Sequence, residues 1–374
     1  MKPVVYLLLP ALLTLCACGG RTGTAPSDPG DTLTMKYARL LTVVRHKHYT
    51  EATLLDPWKP RNVLHRYVLV PRTEPLSRHL PKGTVVRTPV ERSVVFTTAH
   101  CQLLEYLGAT DRIAGVADLQ YILIPDIRRR VAVGIIADCG DAMAPAIEKI
   151  IDLQPQALLL SPFENSGGYG KLDALGTPIV ETADYMESTA LGRAEWMKFY
   201  GMLFGCEQRA DSLFRVVDST YCYLKQAAQH FTARLSILTE RKTGSVWYVP
   251  GGRSTVAQII ADAHGRYAFS RDTHSGSLAL AFEQVLAEAG HSDIWLFKYN
   301  GQGHMTKADL LAEFHGYAGL NAFRNNHVYA CNSRVQPYFE EVPFRPDYLL
   351  RELIILMHPE LSSFGQLRYY RHVD

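Results

Sequence analysis

The order of apolar and polar positions changes character along the chain. Residues 34 to 98 are rich in Val, Leu, Tyr and Thr, with prolines at 57, 60, 71, 75, 81 and 89. Short apolar runs punctuated in this way read as several strands and turns. From about residue 93 the rhythm becomes strand, polar turn, helix. SVVFTT reads as a strand, HCQLLEYLGA carries Leu103, Leu104 and Leu107 at helical spacing, and RIAGVAD is a second strand. AIEKIIDL then reads as a helix, QALLLS as a strand, KLDALG as a helix and PIVETA as a strand. Such alternation predicts an α/β layer with a largely parallel sheet.

From about Ala190 to Phe231 there is no proline and no strand character. Leu191, Trp196, Phe199, Leu203, Leu213, Val217, Tyr221 and Leu224 recur at helical spacing. Gly192, Gly201 and Gly205 weaken a helix there by up to ~1 kcal/mol each relative to alanine. Forty helical residues would extend roughly 60 Å. A break near Gly205 would divide the segment, but a rod joining two lobes accounts for it better, and a rod predicts little hinge motion. Beyond it LSILTE, SVWYV, SDIWLF and HVYAC read as strands, with helices around STVAQIIADA, LAFEQVLAEA and ADLLAEF. PDYLLRELIILMH reads as a closing amphipathic helix that starts after Pro346.

The two α/β stretches echo each other. Glu148 opens EKIIDL before the strand QALLL, and Glu283 opens EQVLAE before DIWL. One such echo on each side of the rod predicts two pseudo-symmetric α/β lobes. The expected division is an N-terminal lobe over 33–189, a linker helix over 190–232 and a C-terminal lobe over 233–374.

Composition adds most at the N-terminus. A length of 374 residues suits two domains, and a net charge of +2 gives no reason to expect a nucleic-acid partner. The opening MKPVVYLLLPALLTLCACGG has one basic residue and an apolar stretch from Val4 to Leu15, which suits a signal peptide and is too short to span a bilayer. Leu15-Cys16-Ala17-Cys18 resembles a bacterial lipobox. Cys18, preceded by small Ala17, fits the lipidated position better than Cys16; an ordinary secretory signal cut elsewhere is the other reading. Residues 1–17 are thus expected to be a signal peptide and 18–32 a lipidated tether of Gly, Pro, Ser and Thr character. The expected location is the cell envelope, with the globular part anchored to a membrane and facing the periplasm. Cys101, Cys139, Cys206, Cys222 and Cys331 have no metal-type spacing and support no assigned bridge.

Tests for catalytic chemistry fail. The loop SPFENSGGYG ends in GYGK, but a phosphate loop needs glycine where Asn165 stands and Ser or Thr where Leu172 stands. No GxGxxG opens a helix after a strand, and GxSxG and HExxH are absent. His46 and His48 in RHKH read as a solvated basic segment rather than a metal pair. Asp141, Asp184 and Glu187 have no nucleophile, base and orienter set around them. No enzyme activity, resident cofactor or protein metal site is expected.

The residues instead resemble the substrate-binding lipoproteins of ATP-driven importers for iron chelates, haem and cobalamin, in a branch associated with Bacteroides-like bacteria. SVVFTTAHCQLLEYLGATDRIAGVAD resembles that family's first strand–helix–strand; IEKIIDLQPQALLLS and FEQVLAEAGHSDIWLF resemble its helix–strand units in the two lobes; RPDYLLRELIILMHPEL resembles its terminal helix. The likeness covers most of residues 93 to 361. It implies two α/β lobes joined by one long rigid helix, with the ligand held between them. Departures lie at Gln102, where the family often has glutamate, and in the long polar loops SPFENSGGYG and ADYMESTALGRAEW.

In parallel α/β lobes, ligand loops gather outside the carboxyl ends of the strands. That rule selects residues 98–100, 118–121, 161–169 and 184–187 in the first lobe, and Arg241, Trp247, Tyr248 and 298–300 in the second. The binding set expected on this basis is His100, Tyr121, Glu164, Asn165, Tyr169, Tyr185, Arg193, Arg241, Trp247 and Tyr248. Aromatic faces suit a flat conjugated or catecholate ligand, and Arg193 and Arg241 suit its carboxylates. Strand alternation turns one of Trp247 and Tyr248 inward. Phe163 is expected to pack rather than bind. The resemblance also implies that Glu148 and Glu283 dock to arginines of a membrane permease, which works with its ATPase. A metal chelate is the expected ligand: a ferric siderophore first, then cobalamin, then haem. A monomer is expected. A permease-independent scavenging lipoprotein and an envelope hydrolase are the competing readings.

Overall fold

The computed structural model describes residues 30–59, 61–164 and 168–374. The expected signal peptide, Cys18, most of the tether and Asn165 lie outside the described residues. Among the described residues, no helix is long and apolar enough to cross a membrane.

The first lobe is built on a five-stranded sheet in the order Ile179–Glu181, Ala157–Leu160, Ser93–Val95, Ile113–Val116, Ala137–Asp138, every pair parallel. Ala157–Leu160 and Ser93–Val95 are buried at every position. Strands covered on both faces need such continuous apolar runs rather than alternation. The second lobe repeats the plan with the order Arg266–Tyr267, Ser236–Thr239, Ile294–Tyr299, Val328–Asn332, Arg371–His372. Its first three pairings are parallel, and the chain's last strand closes the edge antiparallel to Val328–Asn332. The two-lobed α/β architecture expected from the alternation is therefore present. SVWYV departs from it: Val246–Pro250 leaves the parallel sheet and forms a small antiparallel one with Lys242–Thr243 and Ser277–Leu280. KLDALG is a short tight turn of helix, Gly170–Leu175, rather than a full α-helix.

The linking segment corrects the expectation of one rod from residue 190. It comprises Ala190–Glu195, Met197–Phe204 and Glu207–Ala228. Gly205 ends the second piece in the left-handed region at φ 69°, a conformation glycine adopts without steric cost. The backbone N–H of Val90 donates to the Leu203 carbonyl at 2.8 Å, fastening that end to the first lobe. At Gly201 a Cβ would stand 2.7 Å from the Ala210 Cβ, so the missing side chain lets the two helices pack closely around the turn. The long linking helix is Glu207–Ala228, 22 residues and about 33 Å at ~1.5 Å per residue. The closing helix Pro346–Met357 packs against it.

Residues 31 to 88 form a separate five-stranded sheet in sequence order: Asp31–Leu33, Leu41–Arg45, Thr50–Leu55, Val63–Pro71 and Thr84–Thr88. Neighbours are antiparallel except the last pair, which is parallel. The Tyr67 hydroxyl donates to the Ile179 carbonyl at 3.1 Å and accepts from the Glu181 N–H at 2.7 Å, seating this sheet on the edge strand of the first lobe. Two buried carboxylates hold its connecting segment. Glu195 accepts the backbone N–H groups of Lys36, Tyr37 and Ala38 at 3.0, 2.7 and 3.0 Å. Glu187 accepts those of Arg39 and Leu40, each at 2.9 Å, and the Trp196 indole N–H at 2.9 Å.

Candidate ligand-binding site

Among the described residues, three openings at the carboxyl ends of the strands bear on the expected site, and another, about 270 Å³, lies in the second lobe beside Tyr299, Asn332 and Arg371. The first-lobe pocket, about 620 Å³, is lined by Thr97 after the central strand, by Ser161, Phe163 and Tyr169 after Ala157–Leu160, and by Met143 and Lys171. Met143 is 80% exposed and Phe163 50%. Phe163 thus presents its ring to the pocket instead of packing beneath it, because the loop leaves the sheet before that residue. Gly168 and Gly170 hold positive φ, and the Asp173 carboxylate accepts the Tyr169 N–H at 2.7 Å, which fixes the turn between them. The Tyr169 hydroxyl is buried, with Glu181 beside it and no partner in good hydrogen-bond geometry among the described residues. Burial and the nearby Glu181 charge push its pKa up, keeping it a neutral donor.

The second opening, about 490 Å³, lies between the lobes. Gln120, Tyr121, Leu123 and Arg128 line it from the first lobe, and Asn300 and Arg334 from the second. Arg128 donates to the Ile122 carbonyl at 2.7 Å, which aims its guanidinium. Neither arginine has a carboxylate partner among the described residues. The third opening, about 260 Å³, lies in the second lobe and is lined by Glu240, Arg241, Tyr248, Pro250, Ser277 and Lys298. Arg241 is paired with Glu313, and Lys298 with Glu240. Burial opposes the Lys298 charge, but Glu240 outweighs it and the ammonium pKa goes up.

The structure brings Tyr121, Tyr169, Arg241 and Tyr248 to these openings and leaves Glu164 exposed on the loop bearing Phe163. Four other expected contacts are corrected. Trp247 is fully buried and its indole donates to the Thr239 carbonyl at 3.0 Å, so Tyr248 is the outward member of that pair. His100 is buried and serves its own lobe. Its Nε2 donates to Asp184 at 3.1 Å, which leaves Nδ1 to accept the Thr97 hydroxyl proton across 2.7 Å. Arg193 is drawn inward by the same carboxylate at 3.0 Å. Burial alone would raise the Asp184 pKa, but Arg193 and His100 hold it below the usual range. Tyr185 spends its hydroxyl on the Pro162 carbonyl at 2.7 Å and braces the first-lobe loop from behind. The acids of ADYMESTALGRAEW face inward for one reason: Asp184, Glu187 and Glu195 each satisfy donors the fold has buried.

Arg128 and Arg334 were not selected from the sequence. Arg334 follows the strand Val328–Asn332, and the carboxyl-end rule applied to that fourth strand would have reached it. Arg128 sits inside an RRR run on the helix Pro125–Ala132, where nothing in the pattern separates it from its neighbours. Glu148 and Glu283 are exposed in the first turns of Ile147–Leu153 and Phe282–Ala289. Cys101, Cys139, Cys206, Cys222 and Cys331 are unbridged, and no cluster that could hold a metal ion occurs among the described residues.

Two α/β lobes with openings at their strand ends and between them define a solute-binding architecture. The chain belongs to the periplasmic binding protein family, whose model matches residues 94–335, well over half of its length. That is a family of solute-binding proteins, not enzymes. An uncharacterized lipoprotein of Methanocaldococcus jannaschii is 24% identical over 296 residues, covering 76% of this chain and 69% of the relative. The periplasmic haem-binding protein RhuT from Roseiflexus sp. RS-1 superposes with a TM-score of 0.59 at 21% identity, covering 72% of this chain and 98% of that one. A structure described as an ABC-type Fe3+-hydroxamate transport system from Saccharomonospora viridis gives 0.57 at 18% identity, covering 72% and 94%.

Proposed function

We propose that this chain is the substrate-binding lipoprotein of an ATP-driven importer and captures an anionic metal chelate between its lobes. The observation that carries the reading is the pair Arg128 and Arg334, which line one interlobe opening from opposite lobes without carboxylate partners among the described residues. Guanidinium groups in this setting match carboxylate, catecholate or phosphate oxygens. Tyr121 beside them and the aromatic first-lobe pocket supply faces for a planar or ring-bearing ligand. A ferric siderophore fits this mixture best, ahead of cobalamin and then haem. The likeness to proteins described as binding haem and as transporting Fe3+-hydroxamate supports that ligand range.

In this reading residues 1–17 are the signal peptide, Cys18 carries the lipid, and the globular part faces the periplasm as a monomer. Relatives described as lipoproteins favour it. Glu148 and Glu283, exposed and one per lobe, meet the permease. Charge reversal at either should lower uptake while leaving ligand affinity unchanged. The reading is tested by the absorption spectrum of protein purified from its native source: a charge-transfer or corrin band supports a chelate. A colourless protein that binds none of the three ligand classes in titration would refute it.

A further inference from the structure

The sheet of residues 31–88 lies outside the matched family region and has no role in the reading above. Its charge sets it apart. Residues 31–88 hold eleven Lys and Arg against four Asp and Glu, a net charge of +7, whereas residues 89–374 hold 26 against 32, a net charge of −6. The near-neutral whole chain conceals a basic module joined to an acidic body. Part of the positive charge faces the body, through Lys36 on Asp218 and Arg45 on Glu207. Three of the remaining nine cations stand on the connection from Val63–Pro71 to Thr84–Thr88, RTEPLSRHLPKG. Arg72, Arg78, His79 and Lys82 are exposed there, and so is Leu76 at 60%. Arg87 pins the start of this connection by donating to the Arg72 and Glu74 carbonyls, both at 2.9 Å.

The strand register places that start beside the chain's entry into the sheet. Asp31 pairs with Arg45, Arg45 with Thr50, and Thr50 with Leu69, two residues before the connection begins. The RHKH turn lies at this same end, with His48 hydrogen-bonded to Glu74 at 2.9 Å. Eleven residues lie between Cys18 and Gly30, which limits their distance to roughly 40 Å even when fully extended. An apolar residue set among cations, beside the terminus that leads toward the expected anchor, matches the interfacial zone of an anionic bilayer.

We propose that the 31–88 sheet, through its 72–83 connection, rests on the anionic phospholipid surface of the membrane. The attraction is electrostatic, with Leu76 entering the headgroup region, and it does not require lipid at Cys18 or the ligand assignment. The test is co-sedimentation of the full-length Cys18→Ser chain with phosphatidylglycerol–phosphatidylcholine vesicles and with pure phosphatidylcholine vesicles. The pure vesicles account for binding by the apolar residues 4–15. Partitioning should be greater with phosphatidylglycerol, fall with added salt, and drop roughly fivefold for each of Arg78→Gln and Lys82→Gln. Arg324→Gln on the second lobe should leave it unchanged. Equal partitioning into both vesicle types, or an unchanged Arg78→Gln/Lys82→Gln chain of wild-type Tm, would overturn the proposal. None of these outcomes bears on whether a chelate binds between the lobes.

Discussion

The backbone N–H of Leu123 in the first lobe donates to the Glu340 carboxylate of the second at 3.0 Å. Glu340 is buried, and burial pushes its pKa up against the stabilising effect of that N–H. A raised pKa means that the folded chain binds the proton more readily than the unfolded chain, whose glutamate titrates near ~4.3. Between those two values stability falls as pH rises. Relative to Glu340→Gln, which keeps an acceptor for Leu123, the wild type should therefore gain Tm as pH drops from neutrality toward the ordinary glutamate value. At neutral pH the variant should be the more stable of the two. Thermal melts of both proteins across that range provide the check.

Asp184 titrates in the opposite sense. Arg193 and His100 hold its pKa below the ordinary value, so its contribution is complete above the unfolded aspartate value and is lost as pH falls through the lower, folded one. Asp184→Asn leaves the half-buried Arg193 guanidinium without its charge partner and should cost about 3 kcal/mol at neutral pH. The difference from wild type should shrink in acid, as urea melts at neutral and acid pH would reveal.

Glu195→Ala removes the acceptor for three backbone N–H groups and for Lys198. A loss of about 3 kcal/mol or more is expected. Amide exchange should quicken first at residues 36–38, before the second-lobe strands respond.

Gly201→Ala should destabilise by about 1–3 kcal/mol through crowding against Ala210. Ala210→Gly in the same chain should return part of that loss. Additive destabilisation in the double variant would contradict the close packing as its cause.

Arg128→Ala and Arg334→Ala should each weaken chelate binding by about tenfold to a hundredfold, the range of a charge-assisted hydrogen bond. Isothermal titration with the ligand identified by absorption would measure it. Arg193→Ala should instead reduce stability, since that side chain is committed to Asp184.

The layered fold was legible because strands such as Ala157–Leu160 and Ile294–Tyr299 are buried on both faces and bounded by polar turns. The break at Gly205 is hidden in the pattern, since helical spacing on either side continues as though unbroken. What decides it is a packing partner, Ala210 against Gly201, and spacing does not report partners. The site was legible by region and less so by residue. Strand alternation could say that Trp247 and Tyr248 point in opposite directions but not which faces the core. Polar character drew attention to Asp184, Glu187 and Arg193, yet buried donors recruit the same residue types that ligands do. Arg128 and Arg334 become a pair only when the lobes stand face to face.

The grip of Glu187 and Glu195 on residues 36–40 has a mechanical consequence. It fuses the basic sheet, the first lobe and the start of the linking segment into one body. Any widening of the gap between Arg128 and Arg334 must then be travelled by residues 236–374, turning about Glu207–Ala228 and breaking the Leu123–Glu340 bond on the way. Arg128 belongs to that body and Arg334 to the other lobe, so the bond from Leu123 to Glu340 is a contact that any change in their separation would strain.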